Sequence, residues 1–134
     1  MSGPLIDRLD LAIDVPSVPA DALAMSSNAP PCGESSAEVR ARVVAAQAVQ
    51  GARQAKPNAR LTVAEVVAHC RPEPHAEALL AKAMTRMSLS PRAYHRIVKV
   101  ARTIADLAES ATITPAHMAE AIQMRREQLT RGPA

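Results

Sequence analysis

Ser90-Pro-Arg-Ala-Tyr-His-Arg-Ile-Val-Lys-Val-Ala-Arg-Thr-Ile-Ala-Asp-Leu-Ala108 decides the fold class. Ser90 offers a side-chain oxygen to the unpaired amides of a first helical turn, and Pro91 stands where a missing N–H costs nothing. At about 100° per residue, Tyr94, Ile97, Val98, Ala101, Ile104, Ala105 and Ala108 fall on one side. Arg92, His95, Arg96, Lys99, Arg102 and Asp106 fall on the other. The pattern predicts a capped amphipathic helix with one core stripe and one mainly basic stripe.

The same devices recur on both sides. Downstream, Thr114 and Pro115 open a helix in Thr112-Ile-Thr-Pro-Ala-His-Met-Ala-Glu-Ala-Ile122. Upstream, Glu73 and Pro74 start a helix that carries Ala76, Leu79, Leu80, Ala83, Met84 and Met87 at helical spacing. Thr62-Val-Ala-Glu65 is a capping box opening a short helix that stops before Pro72. Ser35-Ser-Ala-Glu38 is another, and its helix should run to about Gln54, where Pro57 and Asn58 end it. Val39, Val43, Ala46 and Val49 or Gln50 would form the inner face of that helix, with Arg40 and Arg42 outside. The expectation is an all-α bundle of about five helices over residues 34–127.

Residues 1–33 read differently. Leu9-Asp-Leu-Ala-Ile-Asp-Val15 alternates with the period of a strand, but no second strand is at hand to pair with it. Pro16, Pro19, Pro30 and Pro31 then punctuate a stretch rich in Ser and Ala. This N-terminal segment is expected to be mostly disordered, and residues 128–134 to be a frayed tail.

Composition narrows the class. Hydrophobic residues make up 48% of the 134, yet aromatics are 1%, so the core must be built from Ala, Val, Leu, Ile and Met. Such side chains suit close helix packing. With a single Tyr, stacking nucleic-acid bases on aromatics is a poor expectation. The formal charge of +3 is a mild basic bias that fits phosphate contact without requiring it. Cys32 and Cys70 are too few for a disulfide framework, and a reduced cytoplasmic setting is the default. No apolar run approaches the roughly 20 residues of a membrane span.

Several segments together resemble the magnesium-chelatase-like AAA+ ATPases. The stretch from Ser2 to Pro16 is similar to the end of the family's ATPase core. Cys32-Gly-Glu-Ser-Ser-Ala-Glu-Val-Arg-Ala-Arg-Val44 is similar to the segment leaving that core. Leu89 to Leu107 resembles the signature of the small helical lid, most closely in the bacterial competence-associated branch. The resemblance implies a hexameric ring that uses ATP and Mg2+, with the chain's partners being its own ATPase core and neighbouring subunits. In the competence branch it implies a link to DNA processing; in the chelatase branch, magnesium insertion into a porphyrin. A complete member carries a phosphate-binding loop, and the four glycines here (Gly3, Gly33, Gly51, Gly132) cannot assemble one. The chain is therefore expected to be a C-terminal lid piece, with no bound cofactor and no ATPase activity alone.

Within this resemblance, Arg92 takes the position of the lid arginine that senses the ATP γ-phosphate. A guanidinium offers an always-charged planar fork suited to phosphate oxygens. Positive charge at a helix N-terminus is mildly unfavourable for stability, which leaves room for a functional reason. Arg8 takes the position of the arginine that reaches into the neighbouring subunit's site during phosphoryl transfer. Without its scaffold it would be a solvated side chain beside Asp7 and Asp10.

Arg96 and Lys99, with Arg102, extend the basic stripe toward phosphate or partner contacts, or simply form a solvated face. Arg125, Arg126 and Arg131 suit a helix C-terminus and need no ligand. His69, Cys70 and His75 match no zinc spacing, so no metal site is expected. The competing function is a free-standing DNA-binding helical module, motivated by the same basic stripe, or else a passive interaction domain.

Overall fold

The computed structural model describes residues 9–17 and 33–130, with side chains to Arg125. Five α-helices make up the body: α1 Ser36–Gln54, α2 Val63–His69, α3 Pro74–Arg86, α4 Pro91–Leu107 and α5 Pro115–Thr130. A 3-10 turn, Asn58–Arg60, separates α1 from α2. No β-strand occurs among the described residues; Pro72 and Ile113 form one isolated parallel bridge. The all-α expectation holds.

The helix starts follow the sequence signals. Ser35 and Thr62 complete their capping boxes with Glu38 and Glu65. Ser90 Oγ accepts the amide of Ala93 at 3.3 Å. At the start of α5, His117 plays the part usually given to Glu: its Nδ1 accepts the Thr114 amide at 3.3 Å. α1 ends where Ala55 turns left-handed, φ 58°, and returns its amide to the Gly51 carbonyl.

α4 is the hub. It packs against α5, α1, α2 and the 3-10 turn, while α3 packs on α5. The apolar core joins Leu61, Val66, Cys70, Ala76, Leu80, Ile97, Val98, Ala101, Ala105, Ile113, Met118 and Ala121. Leu80, Ile97, Ile113 and Met118 are its largest fully buried members. Among the described methionines Met118 is fully buried, with Met84 packed at the core's margin.

Helix α1 corrects the sequence reading. Val39 and Val43, assigned inward, are exposed, as is Val44; of the alternatives Val49 and Gln50, Gln50 is the buried one. Only Ala46 and Gln50 of this helix are buried, and α1 supplies nothing to the apolar core. Its spacing gave the right face in its C-terminal half, but among the described residues nothing packs beneath the N-terminal half.

The polar side of α4 is corrected as well. Arg102 and Asp106 are each only 3% exposed, buried beneath α1 and the 3-10 turn. Arg53 Nη1 and Nη2 reach the two Asp106 oxygens at 2.7 and 2.8 Å. Arg102 Nε donates to Asp106 Oδ1 at 3.0 Å, and its other nitrogens donate to the carbonyls of Ser110 and Ala111.

Asn58 sits at the centre, 1% exposed. Its Nδ2 donates to Thr103 Oγ1 and Asp106 Oδ2 at 3.0 and 2.9 Å. Its Oδ1 accepts from Arg53 and Gln54 at 2.9 and 2.8 Å. The side-chain amide is thus fully satisfied, and its backbone N–H donates to Gln50 Oε1 at 2.9 Å. Buried polar groups of this kind are tolerated because every one finds a partner.

Residues 9–17 form no helix or strand, but they are tied down. The Ala12 amide donates to the Met124 carbonyl at 3.1 Å. Arg125, expected to serve only the helix dipole, is 2% exposed and donates to the Leu9 carbonyl at 2.6 Å. Leu9, Leu11, Ile13 and Val15 remain exposed. Arg126 and Arg131 fall outside the described side chains.

Candidate functional site

Four side chains of α4, Arg92, His95, Arg96 and Lys99, lie three and four residues apart and so share one face. They form one wall of an open groove of about 260 Å³. Leu61, Val63 and Val66, from the turn before α2 and from α2 itself, complete it with Pro91. The groove is apolar on one side and cationic on the other, and no carboxylate lines it.

The local sequence explains this placement. Ser90 and Pro91 fix the first turn of α4, so Arg92 stands at its exposed end. The buried neighbours Ala93, Ile97 and Val98 anchor the opposite face and set the rotation of the helix. The capping box at Thr62 starts α2 at Val63, and Val63 and Val66 line the groove opposite α4.

The cations differ in their commitments. Arg92 is exposed and makes no hydrogen bond or ion pair among the described residues. Arg96 Nη1 is held by Asp10 Oδ1 at 2.7 Å. Lys99 Nζ donates to the Ala59 carbonyl at 3.3 Å. His95 packs its ring edge-on against Tyr94, with centroids 5.2 Å apart, and its Nδ1 is buried without a partner.

Three of the four residues singled out from sequence, Arg92, Arg96 and Lys99, therefore come together. Arg8 lies outside the described residues. Arg102, grouped with the basic stripe, is removed from the groove by its buried pairing with Asp106. What the sequence reading missed is the apolar wall and the place of His95. The spacing of His95 from Arg92 and Lys99 was a usable signal; the meeting of Val63 and Val66 with α4 was not, because it is a long-range contact.

Burial pushes the Cys70 thiol up, away from the reactive thiolate form. Among the described residues, no group of three or more His, Cys, Asp or Glu is placed to hold a metal ion.

Residues 33–125 match the family described as magnesium chelatase, subunit ChlI C-terminal. Competence protein ComM of Haemophilus influenzae is 42% identical over 125 residues, covering 93% of this chain and 24% of that protein. Uncharacterized protein YifB of Escherichia coli is also 42% identical, and that of Salmonella typhimurium 39%, over the same 93% of this chain. The chain thus spans about a quarter of the length of these curated relatives, 24% in each case.

Proposed function

The chain belongs to the magnesium chelatase subunit ChlI C-terminal family, and from that premise we propose that it is the helical lid of an AAA+ ATPase. The lid closes over ATP and Mg2+ held by an ATPase core, senses the γ-phosphate through Arg92, and passes the closure to adjacent subunits of a ring. The observation that carries this reading is Arg92 itself: an exposed guanidinium without a partner among the described residues, in the wall of a groove with no carboxylate among its lining residues.

Electrostatics supports phosphate as the ligand. The cations of α4 suit anionic oxygens, and the absence of acidic lining leaves magnesium to be held by groups elsewhere. Arg96 and Lys99 reinforce the local positive field, though both already hold oxygen partners. A bond to phosphate that forms with ATP and breaks after hydrolysis would rotate the five-helix body as a unit, since its core and its polar network are both continuous. Arg8 is assigned the complementary role, reaching a neighbouring subunit's nucleotide. The machine works in the cytoplasm on DNA, in keeping with the competence protein among the relatives.

The test is direct. In the intact ATPase, core and lid together, Arg92→Ala should lower ATP turnover at least about tenfold, the scale of a lost charge-assisted phosphate contact. Ring assembly in the presence of nucleotide should weaken with it. Unchanged turnover and assembly would remove the sensor role.

A further inference from the structure

His95 has two ring nitrogens in opposite situations. Nδ1 is buried and has no partner. Nε2 is not among the buried unpaired atoms, and His95 makes no hydrogen bond among the described residues. Nε2 is therefore accessible and unsatisfied. Its ring belongs to the groove wall, flanked in sequence and in space by Arg92, Arg96 and Lys99.

This asymmetry fixes the tautomer. A protonated Nδ1 would bury an N–H with no acceptor, while a bare Nδ1 leaves only a lone pair there. The proton belongs on Nε2, which water or a ligand can satisfy. The T-shaped contact with Tyr94, at an interplanar angle of 85°, holds the ring in this orientation. The groove therefore contains a pre-oriented N–H donor beside its cations, with no acceptor among the described residues to use it.

We infer that His95 is a second ligand-facing donor of the groove, giving its Nε2–H to a polyphosphate oxygen of the nucleotide that Arg92 engages. The inference rests on the lid reading above. Arg92 supplies charge from the first turn of α4, and His95, one turn further along, supplies direction. Two donors about one helical turn apart match two oxygens of one polyphosphate chain better than a lone cation does. His95 is thus a residue that selects how the phosphates lie.

Two isosteres separate the ring nitrogens. The amide nitrogen of Gln can stand where Nε2 stands, whereas the shorter Asn reaches only the Nδ1 position. In the intact ATPase, His95→Asn should raise KM for ATP about tenfold, and His95→Gln should restore most of the loss. The melting temperatures of both should stay near that of the parent, since the ring is half-exposed. Asn and Gln variants that behave alike, whether both normal or both impaired, would overturn the assignment.

An independent measurement needs no substitution. Long-range 1H–15N spectra of this chain should show the Nε2–H tautomer of His95; the Nδ1–H tautomer would overturn the proposal even if the Asn variant failed to fold. Arg92→Ala impaired with His95→Asn normal would sink this inference alone. Both variants normal would sink the lid reading with it.

Discussion

Asp106 is the residue on which most of the buried polar structure converges. Burial works against its charge, and the hydrogen bonds from Arg53 and Asn58, with the charges of Arg102 and Arg53, outweigh that cost and hold its carboxyl below the ordinary range. Its importance lies in what its removal would leave behind. Asp106→Ala strands Arg102 at 3% exposure and deprives Asn58 of an acceptor. The expected loss is about 3–5 kcal/mol in urea unfolding, the range for breaking a buried pair from one side. A loss no larger than that of an exposed charge would show that the network relaxes or hydrates. Arg92 stands at the other extreme, exposed and uncommitted, so its substitution should touch turnover and leave stability alone. The two arginines at positions 92 and 102 were indistinguishable as letters on one helical stripe. An acid three or four residues away was the only local hint, and Asp106 supplies it for Arg102.

Among the elements, α1 is held differently from the rest. α2 to α5 share an apolar core, whereas α1 is attached to α4 by the bonds of Arg53 to Asp106, and to the 3-10 turn by the bonds of Gln50, Arg53 and Gln54 with Asn58. A helix secured by a few directional bonds opens more readily than one secured by packed apolar area. Arg53→Ala removes both bonds to Asp106 and one to Asn58, while Arg102 still neutralises the carboxylate. Amide exchange in α1 should speed up about tenfold or more, with the amides of α4 and α5 changing far less. A uniform change across all helices would instead mean that α1 unfolds only with the whole body. The capping boxes at Ser35, Thr62 and the cap at Ser90 were legible because they are local: an oxygen, three residues and a carboxylate or amide suffice. The exposure of Val39, Val43 and Val44 was not, because periodicity reports which residues share a face and not whether anything lies against it.

At the scale of the whole molecule, acid should loosen the fold. The Glu65 carboxyl is brought down to about 2 by its bond to Lys56 and its place in the Thr62 capping box. Asp106 is lowered as well. Both groups bind protons more readily in the unfolded chain, so their stabilisation is complete above the ordinary carboxylate value and drains away as pH falls below it, for Glu65 from 4.5 toward about 2. Melting temperature should therefore decline on acidification, and Glu65→Gln should flatten the decline by removing one of the lowered carboxylates. A melting temperature that rises on acidification would contradict the sign. The molecule as a whole joins an apolar centre to two polar attachments: the network beneath α1, and the bonds of Arg96, Arg125 and the Met124 carbonyl to the segment at residues 9–17. The sequence by itself determined the helices, their starts and the shared stripe of Arg92, Arg96 and Lys99, because caps and periodicity act over at most a few turns. Only the tertiary structure decided which polar residues became core and which became site. Asn58, Arg53 and Asp106 meet across separations of 53 and 48 residues, and Val63 meets His95 across a groove. Those encounters depend on how α1 and α2 dock on α4, a choice made by packing and desolvation of the whole chain and not by any local run of letters.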